Sequence, residues 1–378
     1  MDLAKFDSAK VKQAIERGIK RLRSEIHDGR WKGFPTLAGE SDQWVSAFIL
    51  AHLYAFAPLR RALKKVQEFL LTCQNPDGGW SYCAEVPSDA DSTAWCLLAL
   101  KGNRQFKNEN KNAALSFLEN HRNGNGYTTF STDSGIKEYI KVESHKSIAG
   151  WTSAHPDVTA SVLLAGVPAN GDEDAENILA DLVAQQTGAG FFDAYWWRGP
   201  HYTTTLALRV LSTRRRRLPG SQSRLLLRAL KREQLPSGEF SLGASLNPEA
   251  FTTALALESF SHLQYLGGAR ERRAAGIALM NMQQEDGRWK GNFIMRIPAP
   301  NVVDPRHIAR WSRQGGGGNS YILDKYDLFT TVMACHALAC WRRVESRKSD
   351  TGRPHRQTIR PVKARKMTNA VQMTAGEN

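Results

Sequence analysis

Apolar residues along this chain fall into two alternating kinds of stretch. One kind carries them at helical spacing on a single side, as at Leu225, Leu226, Leu227 and Leu230, and predicts amphipathic helices with a wet face. The other kind is apolar on nearly every side and opens on Ser or Thr. Six of these are present, at 41–53, 88–100, 155–166, 201–211, 248–260 and 326–338. A helix that is apolar all round belongs in an interior, so the six predict an inner layer.

A recurring turn joins each amphipathic stretch to the apolar one that follows. It reads Gln, three residues, Gly, one residue, aromatic: QNPDGGW ending at Trp80, QLPSGEF at Phe240 and QQEDGRW at Trp289. Degenerate copies end at Trp31, Tyr127 and Phe191, giving aromatic spacings of 49, 47, 64, 49 and 49. A period of this length marks a repeat architecture and outranks local preference. The predicted fold is all-α: a single (α/α)6 barrel of six outer/inner helix hairpins across residues 1–342. An open solenoid of the same hairpins would leave its apolar ends in water.

Two segments break the period. Residues 130–150 lengthen the third turn, and 290–325 form a long insertion that contains Arg296, Arg306, His307, Arg310, Arg313 and the glycines 315–318. Long loops in compact domains are lids, binding loops or plain connections, and the sequence leaves these open.

Composition narrows the class. The chain has 378 residues, 41% of them hydrophobic, and a mean hydropathy of −0.44. No apolar run approaches the roughly 20 residues of a membrane span, and the start MDLAKFDSAKVKQ does not read as a secretory signal. Five cysteines without CxxC spacing fit a reducing, cytoplasmic setting and no zinc or disulfide framework. Of the net charge of +14, +7 lies from Trp341 onward, so residues 343–378 read as a basic, disordered tail. A second basic cluster runs from Arg214 to Arg217. It is either a solvated face or a peripheral contact with an anionic membrane or another protein. Without a nucleic-acid-binding motif, no nucleic-acid partner is expected.

Aligning the inner stretches on Ser46, Thr93, Thr159, Thr204, Thr253 and Thr331 gives a ring position two residues earlier: Trp44, Asp91, Asp157, Tyr202, Phe251 and Phe329. A barrel would collect these as four aromatics and two carboxylates near one end of its cavity. A carboxyl facing an apolar, aromatic space has its ionised form disfavoured and keeps its proton. Aromatic faces stabilise cations. Together they suit protonation of an alkene and guidance of a carbocation; the same carboxylates could equally serve as helix caps. Asp89 and Asp327, at helix starts, read first as caps.

The Gln-x3-Gly-x-aromatic turns resemble the QW motifs of squalene–hopene cyclases and related class II terpene cyclases. Residues 87–94, PSDADSTA, are similar to that family's DxDD-T-A motif. The resemblance implies that Asp91 is the general acid that protonates the substrate alkene and that Asp89 supports it. Ser92 stands where the family has a third Asp. His155 or Asp157 would be the second-shell partner or an alternative acid. Trp44, Trp95, Tyr202, Phe251 and Phe329 would line the substrate cavity, with Arg306 and Arg310 as further substrate contacts. A single barrel implies a linear C15 or C20 isoprenoid rather than squalene. No metal or cofactor is called for, except Mg2+ should the substrate carry a diphosphate.

Three other classes share the architecture. Protein prenyltransferase subunits need a zinc site of Asp, Cys and His, which the adjacent Cys335 and His336 do not provide. Sugar-cleaving barrels pair carboxylates as Asp91 and Asp157 might pair, in a more polar surround. A non-catalytic barrel that binds an isoprenoid or a protein is the alternative to an enzyme.

Overall fold

All six apolar stretches are helices in the computed structural model, which describes residues 6–54, 56, 63–169, 171–242, 247–350 and 360–362. They are α2 (Gln43–Leu53), α4 (Ala90–Ala99), α8 (Pro156–Ala165), α10 (His201–Thr213), α12 (Ala250–His262) and α14 (Leu328–Asp350). The amphipathic stretches are α1 (Ser8–Ser24), α3 (Lys64–Thr72), α5 (Asn108–Asn120), α9 (Glu173–Ala184), α11 (Gly220–Glu233) and α13 (Ala269–Asn281). Their apolar sides are buried and their polar sides are wet, as the periodicity requires.

The inner helices form a closed circuit. α2 packs on α4, α4 on α8, α8 on α10, α10 on α12, α12 on α14, and α14 back on α2. Outside them, α3 lies on α2, α5 on α4, α9 on α8, α13 on α12 and α1 on α14. The interior of the circuit is filled by side chains: Phe48 stacks on Phe329 with ring centroids 3.6 Å apart. Among the described residues, no helix is long and apolar enough to cross a membrane.

The Ser or Thr of each inner helix has one job throughout. Its hydroxyl accepts the main-chain N–H of the turn aromatic: Ser46 from Trp31, Thr93 from Trp80 and Thr159 from Tyr127 (each 2.9 Å), Thr204 from Phe192 and Thr253 from Phe240 (each 3.0 Å), and Thr331 from Trp289 (3.1 Å). The fourth aromatic is therefore Phe192, not Phe191 as the spacing suggested. Gln186, Gly190 and Phe192 repeat the offsets of Gln74, Gly78 and Trp80.

The glutamines join neighbouring units. Gln74, Gln186, Gln234 and Gln283 each donate to the carbonyl of their own turn glycine and to a carbonyl on the next outer helix. Those second acceptors are Asn110, Gln222, Glu271 and, from the last unit to the first, Ala14. Such contact needs the turn to press on that helix. Gly78 has φ +91°, and a Cβ there would sit 2.5 Å from the Ala113 carbonyl oxygen. The indoles of Trp31, Trp80 and Trp289 each close a further bond to a leucine carbonyl, at 2.6–2.7 Å.

Two expectations about the C-terminal part change. α14 continues to Asp350, past the boundary expected at residue 342, because Val344 is buried and Glu345 pairs with buried Arg272 at 2.8 Å. Arg360–Pro361 runs parallel to Arg216–Arg217, while residues 351–359 and 363–378 of the expected tail lie outside the described residues. The basic cluster is mostly engaged within the chain. Arg214 donates to the Leu163 and Pro168 carbonyls, Arg216 pairs with Glu176 at 2.8 Å, and Arg217 lies over the Tyr265 ring.

Both irregular segments come to one end of the helix circuit. Residues 130–150 hold the short helix α6 (Ile136–Tyr139), lead into α7 (Ala149–Thr152) and contribute to a small apolar cluster with Cys83 and Val86. The 290–325 insertion forms an antiparallel ribbon of Phe293–Ile297 with Ser320–Leu323. That ribbon also holds the loop before α10, since Arg198 N donates to Ile294 O and Arg296 N to Trp196 O.

Candidate active site

α4 begins on extended backbone at Asp89, whose carboxylate caps it. Oδ1 accepts Ser92 N at 2.8 Å and Oδ2 accepts the Ser92 hydroxyl at 2.6 Å. Ser92, the residue standing in for a third Asp, thus ties down its neighbour. Asp327 does not cap α14. Its carboxylate holds Gly291 N and Arg288, and the N–H groups at the start of α14 go to buried Asp324 instead.

Asp91 follows two residues after the cap, in the first turn of α4, and lines a cavity of about 770 Å³. The walls are largely apolar and aromatic: Trp44, Tyr82, Phe130, Tyr139, Trp151, Trp196 and Trp197, with Val86, Ile136, Ile140, Met295 and Ile297. Besides Asp91, the charged residues of that lining among the described residues are Asp89, Asp157 and, on the exposed side, Lys141. Both irregular segments thus enclose the space above Asp91.

The surroundings set the acidity of Asp91. Burial pushes it up to about 7, and the charges of Asp89 and Asp157 push the same way, while hydrogen bonds from Ser161 and Trp44 oppose them. Burial likewise raises Asp89 to about 6, against its hydrogen bonds from Ser92. Trp44 Nε1 donates to Asp91 Oδ2 at 2.8 Å. A carboxyl raised to about 7 keeps a large share of its proton at neutral pH.

The ring position assembles, but its members do not share one role. Trp44 lines the cavity beside Asp91. Tyr202, Phe251 and Phe329 lie beneath, fully packed. Trp197 stacks on Tyr202 at 3.8 Å and on Phe251 at 5.7 Å, and Trp44 stacks on Phe329 at 5.2 Å. They support the aromatic floor and are not among its lining residues. Trp95 is a correction: it lines the opposite end of the circuit, near His52 and Arg209, because it falls four residues further along α4 than Asp91.

His155 also differs from expectation. Its Nε2 is paired with the Gly150 carbonyl at 2.6 Å, and its ring stacks on Tyr195 at 3.6 Å, so it fastens α7 to α8; the bond to Asp91 comes from Trp44. Asp157 does reach the cavity. Its Oδ2 accepts Tyr195 N (3.0 Å) and Trp196 N (2.8 Å), and its buried Oδ1 has no hydrogen-bond partner. Arg306 is exposed and bound to Asp304 and Asp193 at 2.7 Å each; neither it nor exposed Arg310 lines the cavity.

Sequence reasoning missed the loop aromatics. Tyr82, Trp196 and Trp197 reach the cavity from loops and Trp151 from the four-residue helix α7, where helical periodicity gives no signal. The adjacent pair Trp196–Trp197, in a stretch outside every helix, was the one visible hint.

The far end of the circuit is polar. Buried Arg209 pairs with Glu258 and also contacts His52 and His336. Burial opposes protonation of His336, yet its place beside Cys340 and Glu258 holds it up at about 9. Glu258, His336 and Cys340 bring donor atoms within 4.8 Å of one another, but the Arg209 guanidinium takes the Glu258 carboxylate.

No family model and no curated protein sequence matches this chain. Solved structures do. A protein from Actinoplanes is 27% identical with a TM-score of 0.78, over 89% of this chain and 99% of that one. A single-site variant of the type II terpene cyclase MstE from Scytonema, solved with its substrate geranylgeranyl dihydroxybenzoate, is 26% identical with a TM-score of 0.80, over 89% and 99%. Another MstE variant, solved with the product merosterolic acid A, is 25% identical with a TM-score of 0.79, over 89% and 98%. The chain has the helix-rich fold of a class II terpene cyclase.

Proposed function

We propose that this chain is a class II terpene cyclase in which Asp91 protonates a linear isoprenoid and so starts its cyclisation. The observation that carries the reading is Asp91 itself: a carboxyl raised to about 7, on the wall of an apolar, aromatic cavity. Six outer/inner hairpins arranged as an (α/α)6 barrel would provide that cavity at one end. The volume suits a C15 or C20 chain and lies within the usual range for small-molecule sites. MstE, of similar fold, acts on a geranylgeranyl-bearing arene, which adds support for the C20 length.

In this scheme Asp91 delivers its proton to the terminal alkene. Asp89 keeps α4 in register and, through its charge, raises Asp91. The negative faces of Trp44, Trp196 and Trp197 stabilise the cation as it moves through the folded chain. The aromatic walls exclude water, which would otherwise quench the cation early. The reaction as written requires no redox group. Should the substrate carry a diphosphate, Mg2+ could accompany it.

The test is product analysis by mass spectrometry. The protein and its Asp91→Asn variant are incubated with farnesyl and geranylgeranyl diphosphates, the corresponding alcohols, geranylgeranyl dihydroxybenzoate and squalene. A cyclic product from the wild type that disappears in the variant is expected. No product from any of these with folded protein would sink the reading and favour a non-catalytic isoprenoid- or protein-binding barrel.

A further inference from the structure

We infer that Asp157 is the base that ends the reaction; the assignment rests on the cyclase reading above. Asp157 opens α8 directly after Pro156, and its side chain is 2% exposed yet lines the same cavity as Asp91. Its two oxygens are in unequal positions. Oδ2 accepts two main-chain N–H groups, from Tyr195 and Trp196, whereas buried Oδ1 has no hydrogen-bond partner. Leaving a carboxylate oxygen unpaired in an apolar space is unfavourable, so such a group in a functional cavity calls for an explanation. Because both N–H donors occupy Oδ2, any proton that Asp157 accepts goes to Oδ1.

The steps balance without an added reagent. The Asp91 carboxyl gives its proton to the alkene, leaving a carboxylate and a carbocation. Ring closures move the positive charge along the chain without gain or loss of atoms. The final cation then loses a proton from the carbon next to it to Asp157 Oδ1. The electrons of that C–H bond become the new double bond, and the product is an isomer of the substrate. The cycle is complete when the proton returns from Asp157 to Asp91. Ser161 lies one turn beyond Asp157 on α8, where its hydroxyl meets Val158 O at 2.9 Å, and its hydrogen bond lowers the Asp91 pKa, which brings α8 up to Asp91.

The test compares product distributions. Asp157→Asn can keep an oxygen on the Tyr195 and Trp196 N–H groups while placing an amide NH2 at the Oδ1 position, which cannot take the proton. Asp157→Ser, a smaller group that retains an acceptor, is a second variant against misfolding. On a substrate the wild type cyclises, both should still consume it. The main alkene should fall at least tenfold relative to other alkene isomers and to water-quenched alcohols. An unchanged product ratio in the folded variants would overturn the assignment. So would complete loss of consumption, which would place Asp157 in initiation. Failure of the wild type itself to cyclise any isoprenoid would instead refute the cyclase reading.

Discussion

The indole Nε1 of Trp44 donates to Asp91 Oδ2 at 2.8 Å, which joins the first turn of α2 to the first turn of α4 across the cavity wall. Trp44 cannot easily turn away, since it is stacked on Phe329 and Tyr82. The bond therefore restrains the carboxyl plane. It also moderates the raised pKa by stabilising the ionised carboxylate.

Replacing Trp44 by Phe keeps an aromatic ring and removes the donor. A hydrogen bond to a charged group contributes about 1.5–3 kcal/mol, so turnover should fall roughly 10–100-fold. The acidic group's apparent pKa should rise, since the lost bond favoured the ionised form. Rate measurements across pH check both effects; a variant with wild-type turnover would show that the bond does not help the acid.

In the proposed mechanism protonated Asp91 is the active form, so turnover should be flat in mild acid and fall about tenfold per unit once pH exceeds about 7. Stability should follow the same group. The folded protein holds the Asp91 proton more tightly than the unfolded chain, whose pKa is near the ordinary 3.8. Asp91 therefore favours the fold least above pH 7, and stability falls as pH rises between those values. Asp91→Asn should raise the melting temperature by a few degrees at pH 8 and much less at pH 4. Equal shifts at both pH values would contradict the raised pKa.

Gln283 links the last repeat to the first, with bonds to Gly287 O and Ala14 O at 2.8 and 2.9 Å. Removing it as Gln283→Ala should lower stability by about 1–3 kcal/mol. Cyclase activity of the molecules that remain folded should be unchanged, because the turn lies away from the cavity lining. Denaturant titration and activity per folded molecule check the two halves of this prediction.

Ile297 reaches the cavity from the ribbon of the 290–325 insertion and is only partly buried. Ile297→Trp should occupy substrate space, raising KM at least tenfold or shifting the product toward less folded skeletons. Its melting temperature should stay within a few degrees of the wild type. Unaltered kinetics and products would mean that the insertion does not shape the substrate site.

Much of the framework was legible because it repeats. Ser46, Thr93, Thr159, Thr204, Thr253 and Thr331 each meet the same hydrogen bond, so the alignment that found them also found the ring containing Asp91 and Asp157. The Phe191 misreading came from following the nearest glycine-aromatic pair instead of the full glutamine-to-aromatic spacing. Trp95 was misplaced because periodicity identifies a buried residue but not which end of a helix circuit it faces. The roles of His155, Tyr82, Trp196 and Trp197 depend on loop paths. A loop's course over the end of the helices is set by long-range contacts such as Arg296 N to Trp196 O, which no local pattern encodes.

The most direct test of the central claim is a single-turnover reaction in D2O with a substrate that the wild type converts. Protonation by solvent-exchanged Asp91 predicts one deuterium bound to carbon in each product molecule, at the terminal alkene carbon where cyclisation begins, and no such product from Asp91→Asn. A cyclic product without carbon-bound deuterium, or one formed equally well by the variant, would contradict initiation by Asp91.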